Sequence, residues 1–123
     1  MYRVYKESDF SGAHYLRDYH GKCENIHGHN WKIRVYVTAN ELDKIGMVID
    51  FVELKKVLEE EANHFDHQDI NKIVPFDKVN PTSENLAKHF FDQISNRINN
   101  ERVRISKVMV WETEHSCAIY NGE

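Results

Sequence analysis

At 123 residues with a formal net charge of −4, the chain has the size of one domain and lacks the basic footprint of a nucleic-acid binder. Its 41% hydrophobic and 29% charged residues are those of a soluble globular protein. No apolar run approaches the roughly 18 residues of a membrane span, and the first residues lack a signal-peptide core, so a single domain over 1–123 in the cytoplasm is expected.

Residues 2–14 read as a strand. Tyr2, Val4, Phe10, Gly12 and His14 share one parity and Tyr5, Glu7 and Asp9 the other, which puts His14 on the face of Phe10. Residues 15–28 form a polar connection of a length that is usually functional or mobile in a small domain. It ends in Cys23-Glu24-Asn25-Ile26-His27-Gly28-His29. On extended backbone His27 and His29 point the same way, with Cα atoms about 7 Å apart at ~3.3 Å per residue. Two imidazoles so spaced converge on an ion such as zinc, copper, iron or nickel. The plain alternative is two surface histidines around a turn glycine. Cys23 is either a further ligand or a thiol held beside the metal. Pairing with Cys117 is open in principle, and a free thiol is the default in a reducing compartment.

Residues 29–39 alternate Trp31, Ile33, Val35 and Val37 with Asn30, Lys32, Arg34 and Tyr36, the pattern of a half-buried strand. If this strand lies antiparallel to 2–14, His14 sits beside His27 and His29. Three histidines with an open fourth position are the arrangement of catalytic zinc.

Asp50, with Glu53 three residues on, opens an amphipathic helix over 51–65, its apolar side formed by Phe51, Leu54, Leu58, Ala62 and Phe65. Asp66-His67 follows, and such a loop pair is surface decoration more often than chemistry. Thr82 or Ser83 caps a helix over 83–98 whose buried stripe is Leu86, Phe90, Ile94 and Ile98. Residues 102–114 form a strand apolar on both parities, Val103, Ile105, Met109 and Trp111 against Val108 and Val110, which predicts cover on both faces. Glu112 falls on the Val108–Val110 parity, and the pattern alone favours its fraying outward at the strand end. Residues 116–121 form a short last strand, with Cys117 as core or sheet filler. The order predicts an α+β fold, a four-stranded antiparallel sheet with two helices on one face. The other face is expected to expose Trp31 or its neighbours and part of the strand at 103–111, and so to drive self-association.

Read together, Phe10-Ser11-Gly12-Ala13-His14, Cys23-x3-His27-Gly28-His29, Gly46 to Phe51, Asp66-His67 with Asn71, Pro81-Thr82-Ser83-Glu84-Asn85 and Glu112-Thr113 give a strong signal in order and spacing. Nearly end to end, the chain resembles the 6-pyruvoyl-tetrahydropterin synthase and 6-carboxytetrahydropterin synthase family. The resemblance implies the tunnelling fold, in which sheets of several subunits join into a β-barrel, here a hexamer of two stacked trimers. It implies zinc on His14, His27 and His29, and Cys23 as the proton-abstracting group assisted by Asp66 and His67. It implies Glu112 as the anchor of the pterin ring at a subunit interface, with Thr82 and Ser83 among the substrate-binding residues.

The short Cys-x3-His-Gly-His resembles the bacterial carboxy enzymes. They convert 7,8-dihydroneopterin triphosphate to 6-carboxy-5,6,7,8-tetrahydropterin, releasing acetaldehyde and triphosphate, toward queuosine. Glu24 directly after Cys23 resembles a subgroup that forms 6-hydroxymethyl-dihydropterin for folate, which makes Glu24 a possible second base. The 6-pyruvoyl product is the other enzymatic alternative. A non-catalytic zinc-binding assembly module would keep the three histidines but has no use for Cys23, Asp66, His67 and Glu112 together.

Overall fold

Two long strands, β1 (Tyr2–His14) and β2 (His27–Ala39), pair antiparallel over their whole length, from Tyr2 opposite Ala39 to His14 opposite His27. The second strand thus begins two residues before the expected Asn30-flanking start at 29 and takes in His27. The structure is a computed structural model and describes residues 1–21 and 24–123. After β2 come α1 (Phe51–Asn63), β3 (Gln68–Asp69), a short 3-10 turn (Ile70–Lys72), α2 (Ser83–Ile98), β4 (Val103–Thr113) and β5 (Ser116–Tyr120). Among the described residues no helix is long and apolar enough to cross a membrane.

The sheet has five strands in the order β3-β1-β2-β4-β5, which corrects the expected four. The extra strand also breaks the purely antiparallel pattern, because β3 runs parallel to Gly12 and Ala13. Two residues carry no periodic signal, so this strand was not legible in the sequence. Gly12 lets the segment in: a Cβ there would stand 3.1 Å from both the Phe65 carbonyl oxygen and Ile70 Cδ1.

Local chemistry sets the helix starts. The Asp50 side chain accepts from the Val52 N–H, and Glu53 adds negative charge in the first turn, where the helix dipole favours it. Thr82 is the N-cap of α2, its hydroxyl accepting from the Asn85 N–H at 3.1 Å. Both helices lie on one face of the sheet, α1 over β1 and α2 over β4 and β5. Phe10, Trp31, Ile33, Val35 and Val37 of the sheet form one buried core with Leu54, Leu58, Leu86, Phe90 and Ile94 of the helices.

The two-sided apolar character of the last long strand has a different cause from the one expected. The β2–β4 register jumps between Tyr36, opposite Lys107, and Val37, opposite Ile105, which inserts Ser106 as an extra residue in β4. A β-bulge of this kind reverses the parity of everything beyond it. Val103 and Ile105 before it, and Val108 and Val110 after it, therefore all face the helices and are all buried. Only Met109 and Trp111 remain for the open face.

That face is amphipathic rather than apolar, and Trp31 is not on it, being fully buried. Lys32 Nζ lies 4.3 Å from the Trp111 ring centroid, the Arg34 guanidinium 4.4 Å from that of Tyr5, and Lys107 Nζ 4.3 Å from that of Tyr36. Glu7 accepts from Arg34 at 2.7 Å. Cys117 is exposed, not the sheet filler that its apolar neighbours suggested.

Candidate metal and substrate site

The end of the sheet where β1 finishes and β2 begins holds the expected histidines. His14 is opposite His27, and Gly12 is opposite His29, so strand pairing alone brings the three rings onto the helix-facing side. Their centroids are 4.7 Å (His14 to His27), 5.1 Å (His14 to His29) and 4.8 Å (His27 to His29) apart. Glu112 joins them. Its side chain, on the parity of the buried Val108 and Val110, does not fray outward, and one ligand atom from each of His14, His27, His29 and Glu112 falls within 4.8 Å of every other.

Hydrogen bonds outside the cluster fix which nitrogen faces in. His14 Nδ1 is 2.7 Å from the Pro81 carbonyl and His27 Nδ1 is 2.7 Å from the Asn25 carbonyl. A carbonyl only accepts, so each Nδ1 carries the proton and each Nε2 keeps a lone pair directed inward. Glu112 Oε1 stands 2.8 Å from His29 Nε2 and 3.4 Å from His14 Nε2. Neither nitrogen has a well-directed hydrogen bond, however, and both are buried. Burial lowers the pKa of His14, against the opposing pull of its Pro81 bond and of Glu112, and burial likewise lowers that of His29. Buried, neutral imidazoles with orphaned inward nitrogens beside a carboxylate fit a divalent transition metal.

The floor of the cluster is the buried Trp31, whose place in the strand alternation marks it only as a strand residue. Its ring meets His14 edge-on at 4.9 Å and His29 at 5.3 Å, and its Nε1–H donates to the Gly12 carbonyl at 3.1 Å. The shared parity of His27, His29 and Trp31 was the signal available. The Pro81 and Asn25 carbonyls had none, since a backbone acceptor leaves no letter in a sequence.

The remaining candidates lie around this cluster. Ser83 Oγ is 3.5 Å from Glu112 Oε2, whereas the Thr82 hydroxyl is engaged in capping α2. Asp66 accepts from the Ser11 N–H at 2.9 Å through one oxygen and stands 3.0 Å from His67 Nδ1 through the other. The Ser11 bond first, and His67 second, hold the Asp66 carboxyl below its ordinary pKa. His67 is 81% exposed and has a left-handed backbone, φ 57°. It borders a depression of about 510 Å³ whose other walls include Ser11, Gly28, His29 and Asn30. His67 and the cluster histidine His29 therefore line the same depression. Glu24 is exposed. Cys23, with its neighbour Lys22, lies outside the described residues.

A sheet that gathers three histidines and a glutamate at one end, under two helices, defines an α+β protein with a candidate metal centre. The family model described as 6-pyruvoyl tetrahydropterin synthase matches residues 3–123, and the chain belongs to that family. Among curated relatives, the 6-carboxy-5,6,7,8-tetrahydropterin synthase of Synechocystis is 38% identical over 99 residues, covering 76% of this chain and 75% of the relative. The protein of the same name from Haemophilus influenzae is 32% identical and covers 98% of this chain and 99% of its own. The 6-pyruvoyl tetrahydrobiopterin synthase of Dictyostelium discoideum is 33% identical, covering 85% and 76%. In three dimensions the 6-pyruvoyl tetrahydropterin synthase of Caenorhabditis elegans superposes with a TM-score of 0.88 at 29% identity, covering 99% of this chain and 96% of that one.

Proposed function

We propose that the chain is a zinc-dependent 6-carboxytetrahydropterin synthase that acts on 7,8-dihydroneopterin triphosphate, releases acetaldehyde and triphosphate, and supplies queuosine and related 7-deazapurine precursors. The observation that carries the proposal is the pair of buried, orphaned Nε2 atoms on His14 and His29 facing Glu112. His27 completes the ligand set. Bound there, zinc would supply Lewis acidity toward the side-chain hydroxyls of the substrate. Full-length relatives with the carboxy name support the product.

The residues of the chain divide the remaining work. Cys23 takes a proton from the substrate side chain. Asp66 accepts from His67 Nδ1–H, which leaves His67 Nε2 free to pass protons to and from solvent. Glu112 receives the adjacent N–H donors of the pterin as a bidentate pair, with Ser83 at its second oxygen. His67 is 81% exposed, which leaves it free to meet a second copy of the chain at the site. Along one edge β1 is paired only at Gly12 and Ala13 among the described residues, and β5 ends the other side of the sheet. Both edges suit strand addition into a barrel. Light scattering at micromolar concentration should report a hexamer, and a monomer would refute the shared site.

Glu112 has two possible uses, metal ligand or substrate anchor, and one variant separates them. Glu112→Ala should keep its zinc and bind substrate about a hundredfold more weakly, as expected for losing ~2–3 kcal/mol of charge-assisted hydrogen bonding. Zinc loss in that variant, by elemental analysis, would make Glu112 a ligand instead. The reaction itself is tested by mass spectrometry of the products with trapping of aldehyde. Acetaldehyde and carboxypterin in equal amounts are expected. A pyruvoyl product without acetaldehyde would place the chain with the Dictyostelium relative, and a hydroxymethyl product abolished by Glu24→Ala would make Glu24 a second base.

A further inference from the structure

We infer that Arg17, Asn71 and Asn80 form a clasp that positions the metal-binding nitrogen of His14; the inference rests on the metal reading above. Among the described residues the segment leaving β1 has no strand partner, yet its backbone groups are paired as if it had one. The Tyr15 N–H donates to Asn71 Oδ1 at 2.9 Å, and Asn71 Nδ2 donates back to the Tyr15 carbonyl at 3.0 Å. Two residues on, the Arg17 N–H donates to Asn80 Oδ1 at 2.8 Å, and Asn80 Nδ2 returns to the Arg17 carbonyl at 2.9 Å. Each asparagine amide presents one acceptor and one donor to one residue, and so imitates a neighbouring strand. The i, i+2 spacing of Tyr15 and Arg17 places both pairs on the same edge of the segment.

The Arg17 guanidinium ties the far side together. It donates to the carbonyls of Phe76 at 2.8 Å, Val79 at 3.3 Å and Asn71 at 3.4 Å. Asn80 is held in turn by Asn85, whose Nδ2 donates to its carbonyl at 2.9 Å. The loop over 72–81 is thereby fixed to the residues just after His14.

The consequence for the metal follows from chain adjacency. Tyr15 comes directly after His14, and Asn80 comes directly before Pro81. The clasp therefore sets the distance between His14 Nδ1 and the Pro81 carbonyl, the 2.7 Å buried contact that keeps the proton on Nδ1 and the lone pair on Nε2. Groups that orient a ligand in this way typically change metal affinity by about 10- to 100-fold when altered. Among the described residues the side-chain hydrogen bonds of Arg17, Asn71 and Asn80 go to backbone groups and not to the histidine rings, and they act as positioning residues.

The test uses the full chain and zinc with a competing chelator. Asn80→Asp keeps the acceptor for the Arg17 N–H and removes the return donor. Arg17→Lys keeps both asparagine pairs and removes the forked contacts to three carbonyls. Each should weaken zinc binding by about 10- to 100-fold, while the metal-free proteins melt close to the wild type. If Asn80→Asp fails to fold, Arg17→Lys decides alone. Wild-type zinc affinity in the folded variants, with only the melting temperature lowered, would show a purely structural role and overturn the inference. Failure of the wild-type protein itself to bind zinc would overturn the metal reading instead.

Discussion

His27→Ala should lose its zinc and its turnover together. His27 contributes its Nε2 to the cluster, with Nδ1 held by the Asn25 carbonyl 2.7 Å away. It sits at the rim, less buried than His14, so its truncation leaves the core under Trp31 intact and the protein folded. Changing a group that merely orients a ligand costs about 10- to 100-fold in affinity or activity. Removing the ligand itself should exceed about a hundredfold, with metal content by elemental analysis falling to background. A folded His27→Ala protein with full zinc would remove His27 from the site.

Cys23→Ala should have the reverse signature, with zinc retained and turnover lost. Proton transfer by a positioned side chain typically contributes about 10²- to 10⁴-fold, so kcat should fall by that range while substrate binding holds. The prediction rests on the position of Cys23, four residues before His27 on the polar connection, and on the sufficiency of His14, His27 and His29 as ligands. Loss of zinc from Cys23→Ala would make the thiol a ligand.

The histidine site was legible because its geometry is strand geometry. His27 and His29 share a face by the two-residue period, and the antiparallel return of β2 onto β1 places His14 opposite His27. The helices were legible for similar reasons: Leu86, Phe90, Ile94 and Ile98 recur on one side of α2, and all four are buried. Glu112 was harder. The parity of β4 is broken by Ser106, so a count along the strand sees apolar residues on both faces, and a carboxylate on an apolar face at a strand end reads as frayed. The inserted residue explains the two-sided pattern, and bulges carry no fixed sequence pattern; the partners of Glu112, His14 and His29, come from other strands and leave no sign beside it in the chain. The clasp was invisible for another reason. Asn71 and Asn80 lie 54 and 63 residues beyond Arg17 in the chain, and each looks like ordinary loop polarity until the fold brings them together. Asn71 was noted only as part of a motif.

Crystals of the protein grown with zinc, measured on both sides of the zinc absorption edge, test the central claim most directly. The expected result is one anomalous peak per chain within bonding distance of His14 Nε2, His27 Nε2 and His29 Nε2, with a coordination position left for substrate. A zinc peak elsewhere, or a cluster that stays empty with zinc in excess, would contradict it.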